Sequence, residues 1–389
     1  MTGQAWVVRY AGATLGLSLA LAAGAAQSAD YKWPDNIPPD AKAMMEPMPL
    51  SPRGQAVLGF PEGPEAASPD SITFTPEELD KLKKGGFTAA ISMNLMDAAW
   101  PQLQVAGIKA GLQEYGIELV AVTEAKGQPA TQLNDLEQLA ARQPSVILSI
   151  PIDPVSSSPV FKRLGSEGIK IVFIDNVPVE MTPGKDYVSV IASDNEANGY
   201  FSAKAMAEKM GGKGQVGVLT TVYNSAYVIQ AREKGARKAF AEFPEIKEVA
   251  PAQFPGSMTG AYSASTAMIT ANADLGGMFA VWDTPAIQAA NAAKTLGRDV
   301  LVATVDLGED SAVAVANGEI YAIGAQRPFL QGKTEAKAAA AALLGKEVPP
   351  YLSVAALKVT KLNLLSALQE VTQQPPPDSV IKACKGECF

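Results

Sequence analysis

The sequence contains no histidine and only two cysteines in 389 residues. Without histidine, neither a Ser-His-Asp triad nor a Cys-His pair can form, and the common zinc sites lose their imidazole ligands. Thirty-two basic residues face 40 acidic ones, and this net charge of −8 disfavours nucleic acid, whose phosphates need clustered lysine and arginine. An enzyme would have to use carboxylates, lysine, tyrosine or a cofactor, so the composition favours a binding protein.

The amino terminus is typical of a secretory signal peptide. Residues 1–29 carry Arg9 as their only charge, followed by an Ala/Leu-rich run over about 11–26, and small residues precede Asp30. About sixteen apolar residues are few for a membrane span, so we predict cleavage between residues 26 and 29 and export. The run has no cysteine for lipid attachment, and the mature protein is expected to be soluble in the periplasm.

Proline-rich segments flank the central part of the chain. Residues 30–86 contain ten of the 28 prolines, which disfavours regular structure. We therefore predict an extended leader wrapped on the globular body, in which Thr75 caps one short helix. A second proline-rich segment precedes Cys384 and Cys388, where an oxidising compartment permits a local disulfide. The sequence leaves open whether these two thiols pair.

The central part alternates short apolar strands with helices. Strands are predicted over residues 87–93, 117–122, 145–150, 169–174 and 214–220. Strands of this length, separated by helical segments, predict an α/β fold with parallel sheets covered by helices on both faces.

The pattern occurs twice, with glycines and strand-end aspartates in matching places. The matching pairs are Gly107 with Gly235, Asp153 with Asp283, and Asp175 with Asp306, at offsets of 128, 130 and 131. A nearly constant offset indicates two equivalent α/β units.

Asp175 and Asp306 each follow a predicted strand. Ligands of open α/β sheets bind outside the carboxyl ends of the strands, so facing units would direct both carboxylates into one cleft. Carboxylates on opposite walls suit the hydroxyls of a polyol, from which they accept charge-assisted hydrogen bonds. The alternative is that each aspartate only caps the turn that follows it.

In this order and spacing, the residues resemble the type I periplasmic solute-binding proteins of ABC importers, the class that binds ribose, galactose and related sugars. The resemblance covers about residues 87–364. Its most specific pieces are the Asp194-Asn195 step, the helix start from Arg232 to Gly235, the two strand-end aspartates and Gln326.

The resemblance implies the periplasmic binding protein type I fold, with two Rossmann-like lobes of parallel strands joined by a three-segment hinge. The expected N-terminal lobe comprises residues 87–193 plus 327–353. The C-terminal lobe comprises 194–326 plus 354–372, and residues 373–389 form a Pro/Cys tail.

Carried over position by position, the resemblance also implies a ligand site without catalytic residues, metal or cofactor. The predicted site residues are Trp100, Asp175, Asn176, Arg232, Phe254, Trp282, Asp306 and Gln326. Asp175 and Asp306 would accept bonds from ligand hydroxyls. Arg232 would bind a ring oxygen, a hydroxyl pair or a carboxylate. Aromatic side chains would stack on the ligand face.

The sequence departs from the ribose-binding pattern at three site positions. Ile150, Asn176 and Trp282 stand where the family has a polar residue, an arginine and an asparagine. These changes remove hydrogen-bond donors and add a second indole, so affinity for ribose itself is expected to fall. Trp100 and Trp282 would then form an aromatic clamp.

The expected function is that of a monomeric periplasmic protein that delivers a sugar or related polyol to an ABC permease in the inner membrane. A second candidate ligand is a planar aromatic acid, such as a quinone cofactor, clamped between the two tryptophans with Arg232 and Arg327 on its carboxylates. The sequence also leaves open a sensory module that presents a signal to a membrane receptor. It leaves open, too, a carbohydrate-acting enzyme that uses Asp175 and Asp306 as an acid/base pair.

Overall fold

A computed structural model describes residues 37–47, 49–51, 65–221, 227–249, 251–255 and 257–389. The predicted signal peptide, residues 1–29, lies outside the described residues. Within the described ranges, no helix is both long and apolar enough to cross a membrane.

Thirteen strands and thirteen α-helices alternate over the described residues. The strands are β1 Thr88–Met93, β2 Glu118–Glu124, β3 Val146–Ser149, β4 Lys170–Ile174, β5 Ser189–Ser193, β6 Lys213–Thr221, β7 Glu245–Glu248, β8 Ala252–Phe254, β9 Leu275–Ala280, β10 Leu301–Val305, β11 Ala322–Ala325, β12 Tyr351–Val354 and β13 Leu357–Val359. The helices are α1 Pro39–Ala43, α2 Pro76–Lys84, α3 Ala99–Tyr115, α4 Pro129–Ala140, α5 Ser158–Ser166, α6 Asn195–Lys209, α7 Tyr227–Ala241, α8 Met258–Ala271, α9 Asp283–Thr295, α10 Glu309–Ala316, α11 Pro328–Leu343, α12 Leu364–Thr372 and α13 Asp378–Cys384. This confirms the α/β class.

Two sheets organise the molecule. The first sheet has the strand order β12-β5-β4-β3-β1-β2 and is parallel throughout. The second has the order β13-β11-β10-β9-β6-β7, with β8 also on β6, and only the β11–β13 pair is antiparallel. Most central strands are buried along their length, which explains their near-continuous apolar sequences.

The repeat in the sequence corresponds to equivalent helix contacts in the two units. A Cβ added to Gly107 on α3 would lie 2.0 Å from the carbonyl oxygen of Phe329 on α11. A Cβ on Gly235 of α7 would lie 2.0 Å from the carbonyl oxygen of Glu196 on α6. Both glycines therefore allow two helix backbones to approach closely, which accounts for a glycine at this place in each unit.

The chain passes between the two sheets three times. It leaves the first sheet at Asp194, between β5 and α6, and returns at Gln326 and Arg327, between β11 and α11. It leaves again at residues 355–356, between β12 and β13. The exact boundaries of two lobes, and their motion about these crossings, stay a prediction.

The leader lies against the body, but parts of it are regular. Helix α1 contacts the 3-10 helix Lys361–Asn363. Ala67 forms a parallel bridge with Leu352 of β12. Thr75 caps α2, as predicted, by accepting a bond from the amide of Glu78 in a capping box.

The carboxyl-terminal segment is part of the second unit rather than a loose tail. Helix α13 packs on α10, and its Val380 is fully buried. Cys384 and Cys388 are joined by a disulfide and are both buried in the same apolar core. The structure therefore answers the question that the sequence left open about these two thiols.

Candidate functional site

A cleft of about 570 Å³ lies where the amino terminus of α3 faces the carboxyl ends of β9, β10 and β11. Four of the eight predicted site residues line it: Trp100, Trp282, Asp306 and Gln326. Trp100 comes from the first unit, Trp282 and Asp306 from the second, and Gln326 from a crossing. This volume is typical of a small-molecule site.

Asp306 is the best-positioned carboxylate of the cleft. It follows β10 with φ at 74°, a left-handed conformation that aspartate adopts more easily than most residues. Its Oδ2 accepts a hydrogen bond from Arg232 Nη1 at 3.1 Å, and its Oδ1 accepts one from the side-chain amide of Gln326. The side chain keeps 21% exposure, so it remains accessible to a ligand hydroxyl.

Arg232 does not line the cleft, but its guanidinium donates a hydrogen bond to the carboxylate of Asp306. It is 6% exposed. Its Nε donates to Asn195 Oδ1 at 2.9 Å, and its Nη1 donates to the carbonyl oxygen of Val281 at 2.9 Å. Three of the five N–H groups of the guanidinium therefore serve protein acceptors in a fixed plane, which positions the carboxylate of Asp306.

Trp100 is connected to Asp306 through Gln326. Its indole Nε1 donates to Gln326 Oε1 at 3.2 Å, while the amide nitrogen of Gln326 donates to Asp306. This chain of bonds runs from the first unit, through a crossing, to a strand end of the second unit. It fixes the three polar groups that a ligand would meet.

Trp282 and Phe254 form an aromatic pair on the second unit. Their ring centroids lie 5.4 Å apart at an interplanar angle of 58°. Phe254 is fully buried, whereas Trp282 lines the cleft. Phe254 therefore supports the indole, and the aromatic surface available to a ligand comes from Trp282 and Trp100.

Asp175 does not line the cleft, but it lies close enough to Arg232 and Asp306 for their charges to act on its carboxyl group. It follows β4 with φ at 56°, so it matches Asp306 in backbone conformation. It is 8% exposed, and its Oδ1 accepts a bond from Gln331 Nε2 at 2.9 Å. Burial raises the pKa of Asp175 to about 6. Asn176, beside it, is half-buried and also does not line the cleft.

Asp283 is a cleft residue that was not among the predicted site residues. It begins α9, its Oδ1 accepts a bond from the hydroxyl of Thr284 at 3.2 Å, and Ser311 donates to its Oδ2 at 3.4 Å. Burial, together with the nearby negative charge of Asp306, raises the pKa of Asp283 to about 6. The sequence repeat aligns Asp283 with Asp153 and could have identified it as a strand-end carboxylate.

The electrostatic character of the cleft is negative. Of the described residues that line it, five are acidic and none is lysine or arginine. The acidic side chains are Asp97, Asp283, Asp306, Glu309 and Asp310. Arg327 points elsewhere, because its Nε donates to the carbonyl oxygen of Ala355 at 3.1 Å and its Nη1 to Glu370 at 3.3 Å. Among the described residues, no group of three or more His, Cys, Asp or Glu could hold a metal ion.

Comparison with known proteins gives a consistent result. The family model described as a periplasmic binding protein domain matches residues 89–347. The chain is 25% identical over 270 residues to the ribose import binding protein RbsB of Bacillus subtilis (strain 168), covering 69% of this chain and 86% of that protein. It is 26% identical over 275 residues to the xylitol-binding protein of Mycolicibacterium smegmatis, covering 68% of this chain and 76% of that protein.

A similar solved structure contains a sugar. It is an ABC transporter periplasmic solute-binding protein from Actinobacillus succinogenes 130z with bound D-allose. The identity is 26% and the TM-score 0.66, over 72% of this chain and 99% of that chain.

Proposed function

Because this chain belongs to the periplasmic binding protein family, we propose that it is the solute-binding component of an ABC importer and binds a small, uncharged sugar or polyol between its two sheets. The observation that carries the proposal is the cleft itself. It offers two indole faces, the Asp306 carboxylate and the Gln326 amide, and neighbouring groups hold these side chains in place. Aromatic faces fit the C–H faces of a sugar, and carboxylate and amide oxygens accept its hydroxyl protons.

The charge of the cleft favours a polyol over a planar aromatic acid. Such an acid would bring its carboxylates to a wall that holds five acidic side chains and no basic one among the described residues. The two arginines that would meet the acid, Arg232 and Arg327, already bond to protein acceptors. Like charges at close range raise the free energy of binding, so an uncharged ligand fits better.

The proposal also includes the location of the protein, its partner and the movement of its lobes. The predicted signal peptide would place the protein in the periplasm, where it would act as a monomer and dock on a permease. Ligand binding would shift a population of open lobes to closed ones by movement at the three crossings. The names of the relatives, which include ribose-, xylitol- and allose-binding proteins, define the first compounds to test.

Thermal unfolding with D-ribose, D-allose and xylitol tests the proposal. A ligand present at 100 times its Kd stabilises the folded protein by about 2.7 kcal/mol, which raises the melting temperature measurably. Replacing Asp306 by Asn, or Trp100 by Ala, should abolish the shift. Asp299→Asn, an exposed substitution beside β10, should preserve it. A shift produced only by pyridine dicarboxylic acids, or one that survives both cleft substitutions, would contradict the proposal.

A further inference from the structure

The leader contacts the hinge region at the residue where the chain first leaves the first sheet. Ser51 donates two hydrogen bonds to the carboxylate of Asp194, from its backbone amide to Oδ2 at 2.5 Å and from its hydroxyl to Oδ1 at 2.8 Å. Asp194 is only 4% exposed. A buried carboxylate with two donors from a residue 143 positions away in sequence marks a specific contact.

Asp194 is itself a junction between the two units. Its Oδ1 also accepts a bond from the amide of Ala197 and so caps α6 of the second unit. Its own amide donates at 3.0 Å to the carbonyl oxygen of Val354, the last residue of β12 in the first sheet. Movement of the sheets relative to each other would require torsional change at Asp194, and Ser51 holds the side chain of that residue in place.

The part of the leader before Ser51 is anchored on the second unit. Met45 packs against the core of that unit, and its sulfur accepts a bond from the Asn363 side chain at 3.6 Å. Ile37 and Met45 lie beside α12. These contacts place the described leader residues that precede Ser51 on the second unit.

A later part of the leader is anchored on the first unit. The amide of Ala67 donates to the carbonyl oxygen of Tyr351 at 3.1 Å, and the amide of Ser353 donates back to Ala67 at 2.9 Å. Ile72 is buried in the core of the same unit. The leader therefore contacts both sides of the third crossing. It contacts β12, which precedes that crossing, and the 3-10 helix Lys361–Asn363, which follows it.

We propose that the leader is an intramolecular hinge clamp: through Ser51 on Asp194, it sets the equilibrium between open and closed lobes and hence the ligand affinity. The proposal rests on the proposed function, because it assumes that the two units move about the crossings. The clamp holds the arrangement in which Gln326, at a crossing, links Trp100 of the first unit to Asp306 of the second, so its loss should favour open lobes. The leader lies outside the matched residues 89–347, so the clamp is an addition to the family domain.

Ser51→Pro tests the clamp, because proline removes both the amide and the hydroxyl donor. Small-angle scattering of the unliganded protein should show a larger radius of gyration for Ser51→Pro than for the parent protein. The Kd for D-ribose, D-allose or xylitol should increase about tenfold, in proportion to the loss of the binding-competent population. Ser51→Ala, which loses only the hydroxyl, should give a smaller change in the same direction. Ser71→Ala is the matched control, since its hydroxyl donates to the nearby carbonyl oxygen of Ser68 and to no other described residue.

Measurements on Ser51→Pro and on the parent protein separate the clamp from the proposed function. An unchanged radius of gyration together with an unchanged Kd in Ser51→Pro would overturn the clamp. If circular dichroism shows that Ser51→Pro does not fold, Ser51→Ala decides by the same two measurements. If no sugar binds the parent protein, the proposed function fails, and the radius of gyration of the unliganded variants still tests the clamp.

Discussion

A buried carboxyl group between α3 and α11 makes stability depend on pH. Glu335 has no exposed surface, and its Oε1 accepts a bond from Gln104 Nε2 at 2.5 Å. Glu335 Oε2 and Gln104 Oε1 are buried without a partner among the described residues. Burial, with the nearby Asp175 carboxylate as a smaller cause, raises the pKa of Glu335 well above its usual value. A proton would make Oε2 a donor, and the side chain of Gln104, already bonded to Glu335, carries an unpartnered acceptor in Oε1.

The size of the effect follows from proton linkage. The folded protein retains a proton that the unfolded chain releases above its ordinary glutamate pKa of 4.5. Stability from this group is therefore fully present below that pH and is lost as pH rises, at about 1.4 kcal/mol per pH unit until the folded pKa is reached. The loss due to Glu335 therefore begins just above its unfolded pKa and grows with that slope as pH rises, until the folded pKa is reached.

Glu335→Gln should remove this loss. A glutamine amide has nearly the same shape as the protonated acid and likewise carries one acceptor oxygen and a donor group, but it does not titrate. Urea unfolding at about pH 5, 6, 7 and 8 measures the free energy of unfolding in each protein. The variant should become more stable than the parent as pH rises, and the exposed substitution Glu347→Gln should follow the parent.

Other buried carboxyls do not obscure the comparison. Asp175 and Asp283 also have raised pKa values, of about 6, and lower stability in the same direction as pH rises. Asp283 is present in all three proteins, so its effect largely cancels in the differences, and the interaction of Asp175 with Glu335 is part of the effect that Glu335→Gln removes. Parallel pH profiles for the parent protein and Glu335→Gln would refute the assignment of a proton to Glu335.

Two further predictions concern stability. Gly107→Ala and Gly235→Ala should each lower the free energy of unfolding by about 1–3 kcal/mol, because the added Cβ would meet a helix backbone. Gly297→Ala is the control, because its Cβ has no close neighbour and its φ of 62° leaves backbone strain as the cost. An equal loss of stability in Gly297→Ala would contradict the packing argument. A reducing agent should lower the free energy of unfolding by about 2 kcal/mol, because the Cys384–Cys388 bond closes a short loop in the core. A Cys384→Ser/Cys388→Ser variant should no longer respond to the reducing agent. An unchanged urea midpoint on reduction of the parent protein would contradict a stabilising role for the disulfide.

The fold could be predicted from sequence because its signals are local. Short apolar runs between helices indicate parallel strands, and the constant offset between Gly107 and Gly235 indicates two units that pack in the same way. The strand ends at Asp175 and Asp306 followed from the same pattern, and the two residues share a left-handed backbone. The pattern could not show that Asp306 keeps part of its side chain exposed in the cleft whereas Asp175 is buried.

That difference depends on contacts far apart in sequence. Asp175 bonds to Gln331, 156 residues later, on a helix that returns to the first unit. Its counterpart Asp306 bonds to Arg232, 74 residues earlier within the second unit, and keeps part of its surface in the cleft. No local pattern marks Gln331 or Glu335 as buried partners, because both are polar residues on an otherwise ordinary Ala-rich helix.

Arg232 is expected to affect ligand binding by positioning Asp306 rather than by contacting the ligand. Its guanidinium serves three acceptors at once, two of them on Asn195 and Asp306. Arg232→Lys preserves the charge but cannot reproduce this fork, so Asp306 should lose its orientation and the Kd for the bound sugar should rise about 10- to 100-fold. Arg237→Lys, on the same helix but paired with Glu233 near the surface, is the matched control. Calorimetric titration with equal Kd values for both variants would show that Asp306 does not depend on Arg232 for ligand binding.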